Sequence, residues 1–293
     1  MFKSIANFFY FILRLFDAIC IKLANRSILI WLKEFIENDS YKIIKILDKN
    51  VTFFTPNYIT KWLIEEFYTK EPETLEWIDN FSYSGTEDKK IFWDIGANIG
   101  LYSIYACIKH DNIEVVSFEP STSNTRILSR NIFINNLENK IKIFQLPLGN
   151  IANKFLMFNE SEFMEGLGSH TFGKNTNQEE KIFEPKNKYK IIGSTINFLL
   201  DNNILECPDY IKIDVDGIEH LILDGASNHL RNKKIKGIIV ELNEDFKDQL
   251  YSILNTMKEN NFKFVSKHRS ILVDKFLGDK LKGLYNYKFD RSI

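Results

Sequence analysis

The chain of 293 residues has little cysteine, no excess of either charge and no internal repeat. Its three cysteines, Cys20, Cys107 and Cys207, are odd in number and far apart. Neither a disulfide framework nor a zinc-ligand spacing can be built from them, which fits a reducing compartment or simple burial. The 38 Lys+Arg against 39 Asp+Glu leave a net charge of -1. Nucleic-acid binders of this size usually carry a basic excess, so no nucleic-acid partner is expected. No low-complexity segment is visible, and 44% apolar with 26% charged residues exclude wholesale disorder. The longest uncharged apolar stretch at the start, residues 4–13, is too short to span a bilayer before Arg14 and Asp17 interrupt it. The segment LRLFDAICIKLA offers only a poor cleavage site for a signal peptide.

What is abundant is phenylalanine, with 25 residues, several of them near the N-terminus. Phe2, Ile5, Phe9, Ile12, Phe16, Ile19 and Leu23 alternate spacings of three and four, which predicts a helix with one apolar face. Such a helix docks on its own protein, on a partner subunit or in a membrane interface. Packing on protein is the preferred expectation, with peripheral membrane contact through residues 1–24 as the alternative. Residues 1–40 are assigned to this amphipathic segment. Residues 41–89 form an accessory region of short helices with a strand-like start, a break at Pro56 and a helix opening at Pro72. The polar run 82–90 marks a boundary. Residues 90–275 form the main domain, and 276–293 a C-terminal tail.

In the main domain, short apolar runs alternate with helical stretches. The runs are 91–96, 113–120, 141–149, 210–217 and 235–244, and a late hairpin is expected from 262–266 and 270–274. This alternation predicts an α/β fold with a mostly parallel sheet and helices on both faces. Ligands of such sheets bind beyond the carboxyl ends of the strands. There the first run leads into Asp94-Ile95-Gly96-Ala97-Asn98-Ile99-Gly100. Gly96 allows a tight turn and close ligand approach, Asn98 tolerates a left-handed backbone, and Gly100 lets the next helix pack closely. Glu119 ends the second run, 23 residues after Gly96, where a carboxylate can accept hydrogen bonds from both hydroxyls of a ribose. A dinucleotide site prefers three glycines and no acid before the first. Asp94 would repel a pyrophosphate but not a sulfonium, which favours S-adenosylmethionine over NAD.

Residues 91–105, FEP at 118–120, YIKIDVDG at 210–217 and IIVEL at 238–242 resemble the FkbM family of S-adenosylmethionine-dependent methyltransferases. The resemblance covers roughly residues 90–275, with a similar run at 69–81. It implies the Rossmann-like class I methyltransferase fold, with a seven-stranded, mostly parallel sheet behind a helical N-terminal extension. It places the cofactor loop on Asp94, Gly96, Ala97, Asn98 and Gly100 and the ribose carboxylate on Glu119, with Pro120 and Ser121 bordering the adenine. The family's usual Asp-Val-Glu-Gly is here Asp214-Val215-Asp216-Gly217, so residue 216 is one methylene shorter than expected.

Methyl transfer to oxygen requires alignment of the acceptor, exclusion of water and removal of a proton. Asp214 is expected to serve as positioner or general base, and also to be able to cap the following helix. His170, in the polar excursion 151–190, is the second catalytic candidate, whereas His110 and His229 are expected at the surface. Asp214, Asp216, Glu241 and Asn243 end adjacent strands, where oxygen ligands would suit Mg²⁺, although nothing in the spacing demands a metal and no metal ligand set is assigned. The expected acceptor is a saccharide or glycolipid hydroxyl, with a polyketide or other small natural product as runner-up. A NAD-dependent oxidoreductase and a non-catalytic nucleoside-binding module are the readings of another class. The expected location is cytoplasmic, at the inner face of the membrane if the N-terminal helix meets lipid, and the oligomeric state is left open.

Overall fold

The computed structural model describes residues 1–82, 89–168, 170–173, 184–269 and 283–292. Helix α1 (Phe2–Ala24) runs without a break through Arg14 and Asp17. By length and composition it is apolar enough to cross a membrane. It is followed by α2 (Leu29–Asn38), whose own N-cap residue supplies no side-chain bond. Asp17 supplies it from the neighbouring helix: its Oδ1 accepts from Ser27 Oγ at 2.8 Å, Ile28 N at 2.6 Å and Leu29 N at 3.2 Å. The single acid of α1 thus satisfies donors that the start of α2 would otherwise leave open. Among the described residues of this chain nothing packs on the apolar face of α1. Asp17 is its one buried residue, and its apolar face stays exposed.

The accessory region is a hairpin of β1 (Tyr41–Ile46) and β2 (Lys49–Phe54), followed by α3 (Tyr58–Glu65), α4 (Phe67–Lys70) and α5 (Pro72–Asp79). Asn57 opens α3 with a capping box shared with Thr60, directly after the predicted break at Pro56. This region is not a separate unit. Phe53, Phe54, Phe67, Trp77 and Phe81 share one buried cluster with Phe92 and Tyr105 of the main domain.

The main domain runs β3 (Lys90–Ile95), α6 (Leu101–Lys109), β4 (Ile113–Phe118), α7 (Thr122–Ile134), β5 (Ile141–Phe144), β6 (Lys154–Glu160), β7 (His170–Phe172), β8 (Asn187–Gly193), α8 (Ile196–Asp201), β9 (Tyr210–Ile213), α9 (Glu219–Asp224), β10 (Gly237–Asn243), α10 (Lys247–Glu259), β11 (Phe262–His268) and β12 (Leu284–Arg291). The central sheet has the order β11-β12-β10-β9-β3-β4-β5, and β12 is antiparallel to both neighbours. The expected α/β fold with a seven-stranded, mostly parallel sheet is therefore present. Strands β3 and β9 are buried along their whole length because helices cover both faces.

Two expectations differ from the structure. Residues 276–293 are not a tail beyond the domain, because 284–291 form β12 in the central sheet. Its Tyr287 and Phe289 are buried, and its alternation closes the sheet's far core. The excursion 151–190 is not merely polar loop: β6, β7 and β8 make a separate antiparallel sheet over the main one. The second half of the expected late hairpin, 270–274, lies outside the described residues, and β11 pairs with β12 instead.

Two asparagines of α7 tie the accessory hairpin to the domain. Asn135 accepts from Thr52 N at 3.0 Å and donates to Thr52 O at 2.7 Å, replacing a strand partner for β2. Asn131 accepts from Phe54 N at 2.8 Å and donates to Ile99 O at 2.9 Å, so the same side chain braces the glycine loop. Buried backbone groups without such partners would cost about 1–3 kcal/mol each.

Candidate active site

From β3 the chain winds one way through β4 and β5, then returns to build β9 and β10 on the other side. The β3/β9 boundary is thus the topological switch point, where open α/β sheets bind ligands. A cavity of about 350 Å³ lies there. Its floor is the carboxyl ends of β3, β4 and β9. Its roof comes from two excursions: Ile59, Trp62 and Leu63 of α3, and Phe158, His170 and Phe172 of the small sheet.

The glycine loop approaches β9 as closely as a backbone allows. Gly96 has φ +87°, and a Cβ there would stand 1.9 Å from the Asp214 carbonyl oxygen. Gly100, at φ +89°, begins α6 with no side chain between it and Leu128. Asn98 adopts φ 51° and donates from Nδ2 to Gly166 O at 3.1 Å, which joins the loop to the roof. Gly96, Ala97, Asn98, Glu119 and Pro120 all line the cavity. Asp94, Gly100 and Ser121 stand behind the wall instead. Asp94 is fully buried and accepts from Ser103 Oγ at 2.6 Å, and burial raises its pKa. Ser121 caps α7 and donates to Glu160 at 2.7 Å.

Glu119 is held by two backbone amides. Asn98 N donates to Oε2 and Ser121 N to Oε1, both at 2.8 Å. These bonds fix both oxygens against the cavity. Burial outweighs them and pushes the carboxyl up to about 8, with Asp216 adding to the rise.

Opposite stands a charged cluster. Asp214 follows β9 and accepts from the buried Lys212 Nζ at 2.5 Å, and Lys70 of α4 pairs with the buried Glu71 at 2.8 Å. The Lys212 ammonium also lies 4.8 Å from the centre of the Tyr102 ring. The two lysines hold Asp214 below its usual range against the cost of burial. Glu241 is driven the other way, well above the usual carboxylate range, by burial and by Asp214 and Glu71 against the pull of Lys70, and it shares a hydrogen bond with Asp214. Among the described residues no three acidic, histidine or cysteine side chains converge as a metal site. Lysines stand beside Asp214 where the sequence suggested Mg²⁺.

His170 lies on the same cavity. Its ring is buried, and burial lowers its pKa against the opposing pull of Glu160 and of the Leu167 backbone carbonyl. Asp216 Oδ2 accepts from His170 N at 3.0 Å. The short side chain at 216 thus secures the strand that carries the histidine. His110, expected at the surface, is buried, stacks on Phe81 and bonds Ile78 O at 2.8 Å. His229 pairs with Asp201 at 2.6 Å.

Sequence reasoning missed Lys70, Lys212 and Trp62. A signal existed for Lys212, which interrupts the apolar run YIKID two residues before Asp214. None existed for Lys70 and Trp62, which reach the site only through the accessory fold.

The fit to S-adenosylmethionine rests on the cradle at Gly96, which a Cβ would fill, and on the buried Glu119 carboxyl beside it. A family model described as the Methyltransferase FkbM domain matches residues 94–264, more than half of the chain. Methyltransferase sdnD of Sordaria araneosa is 26% identical over 167 residues, which are 50% of this chain and 64% of that protein. The chain therefore spans less than two thirds of that relative's length. Among solved structures, precorrin-6y C5,15-methyltransferase of Geobacter metallireducens aligns with 76% of this chain and 87% of its own, at 13% identity and TM-score 0.42. TYW2 of P. horikoshii, crystallised with MeSAdo, aligns with 86% and 70% at 10% identity and TM-score 0.42. The family match coincides with the strands and loops that build the cavity, and on it the chain belongs to the FkbM methyltransferase family.

Proposed function

We propose that the protein is an S-adenosylmethionine-dependent O-methyltransferase that acts on a hydroxyl of a saccharide or glycolipid. The observation that carries this reading is one cavity lined by Glu119, Asp214 and His170. When bound, the cofactor supplies an electrophilic methyl group on a positively charged sulfur. Glu119 accepts the ribose hydroxyls. Gly96 and Ala97 let the ligand approach the backbone, and Pro120 borders the base. Asp214, held as an anion by Lys212 and Lys70, faces the amino-acid end and receives its ammonium.

The acceptor oxygen must lose its proton as it gains the methyl carbon. Asp214 is a stable anion and therefore a weak base, which makes it the positioner. Burial holds His170 below its usual range, so its imidazole is neutral near pH 7, and it takes the proton. Trp62, Leu63, Phe158 and Phe172 exclude water from the transfer. The saccharide acceptor is supported by the family resemblance.

The test is titration calorimetry with S-adenosylhomocysteine and with NAD, followed by transfer of labelled methyl to a panel of hydroxylated glycans. Binding of the first ligand alone and label on a glycan oxygen are expected. Preference for NAD would overturn the cofactor, and label on nitrogen or carbon acceptors alone would overturn the hydroxyl.

A further inference from the structure

Helix α1 presents an apolar surface that nothing among the described residues covers. Phe8, Phe9, Ile12, Leu15, Phe16 and Ile19 are each between 46% and 61% exposed. At 100° per residue these side chains and their neighbours fill about half the circumference, much wider than a coiled-coil seam. The opposite arc carries Lys3 and Arg14, and Lys22 borders the apolar face beside Leu15. The one acid, Asp17, is spent on the start of α2. Helix α2 adds exposed Ile30, Trp31, Phe35 and Ile36.

We propose that the α1–α2 hairpin docks in the plane of an anionic phospholipid bilayer. Width decides between a lipid surface and a second copy of the chain: a helix packed face to face on α1 covers only a narrow seam of this apolar arc, whereas a bilayer interface covers all of it and its anionic headgroups meet Lys3, Arg14 and Lys22. Geometry decides between lying in the interface and spanning it. Asp17 ties residues 27–29 to α1 seven residues before its end, about 10 Å at 1.5 Å per residue. A spanning α1 would drag that turn and the start of α2 into hydrocarbon, together with Arg14 and Asp17.

The hairpin is joined to the cavity roof. Glu37 of α2 pairs with Arg126 and with Arg130, at 3.4 Å for the latter. Arg126 also holds Glu165 at 3.1 Å. Glu165 accepts from Asn57 at the start of α3, and the next residue, Gly166, lines the cavity and accepts from Asn98. Docking therefore sets the roof of the cavity beside the lipid headgroups.

The test is co-sedimentation of the full chain with vesicles of phosphatidylcholine alone and of phosphatidylcholine with about 30% phosphatidylglycerol. Binding to the anionic vesicles, weakened by salt, is expected. Phe9→Asp/Phe16→Asp is expected to abolish sedimentation. Lys3→Glu/Arg14→Glu/Lys22→Glu is expected to lower it by about tenfold or more. Both variants should bind S-adenosylhomocysteine as the parent does, which separates loss of docking from misfolding. Equal partition to neutral vesicles, resistance to alkaline extraction, or a stable oligomer that leaves the vesicles alone would each overturn the proposal.

Discussion

Glu119 offers the sharpest test of how the site binds its nucleoside. Both oxygens already accept a backbone amide, so the carboxylate is aimed and needs no reorganisation. Two ribose hydroxyls would add two charge-assisted bonds, each about 1.5–3 kcal/mol in gross terms. Part of that is offset by the water the ligand displaces, which leaves roughly a 10–100-fold loss of affinity for Glu119→Ala. The pH dependence is more diagnostic. The free carboxyl titrates at about 8 because it is buried. Sugar hydroxyls donating to it favour the ionised form, so binding expels the proton. Affinity for S-adenosylhomocysteine should therefore rise from pH 6 and level off above pH 8, by up to about 100-fold in the limit where only the anion binds. Calorimetry in buffers of different ionisation heat should detect the released proton near pH 7. Glu119→Gln, which cannot titrate, should flatten the profile. A parent affinity that is constant or falls across this range would refute the ribose role, as would a Gln variant with the same slope.

Gly96→Ala should destroy binding or folding, since its Cβ meets a backbone oxygen, whereas Gly100→Ala meets only the end of the Leu128 side chain and should retain measurable affinity. Thermal melting and ligand titration of the two variants check the order. Asp214→Asn should lose turnover and also stability, because it leaves Lys212 buried without its anion, at about 3–5 kcal/mol. Lys212→Met/Asp214→Asn should recover the stability in denaturant titration but not the activity. His170→Asn should keep S-adenosylhomocysteine affinity while lowering turnover by about 10²–10⁴-fold, read from initial rates. Glu119 and Glu219 are both raised to about 8 in the folded chain, so their contribution to stability is full below about 4.5 and is lost as the pH rises towards 8. The melting temperature of the ligand-free protein should therefore fall from pH 5.5 to 8, and Glu119→Gln should reduce the slope.

The β–α alternation and the strand ends were legible because they are local. Each parallel strand is a short apolar run, and the residue that follows it faces the ligand whatever the rest of the chain does. Gly96, Glu119 and Asp214 could therefore be placed in order along the sheet. What was not legible depends on contacts distant in sequence. The run Leu284–Arg291 is short, mixed in polarity and carries Asn286 and Asp290, which read as a tail. Only its pairing with β10 and β11 buries Tyr287 and Phe289. The helical period of α1 was visible, but its bareness was not, because periodicity reports which face is apolar and not what covers it.

The charge state of the acceptor wall is the clearest case of this limit. Read alone, Asp214 sits among Asp216, Glu241 and Asn243, an oxygen-rich set that invites a cation. The fold answers with two lysines from different places, Lys212 from the same strand and Lys70 from the accessory helices. The outcome differs for the two acids: the lysines hold Asp214 below its usual range, whereas burial and the charges of Asp214 and Glu71 raise Glu241 against the pull of Lys70. An anion pinned this way binds an ammonium well and accepts a proton poorly. In the proposed reaction the base is a group that burial keeps neutral, and on this wall the buried His170 meets that condition. The proposed division of labour between Asp214 and His170 thus follows from where the accessory region and the small sheet deliver their side chains, and not from the strand-end motif itself.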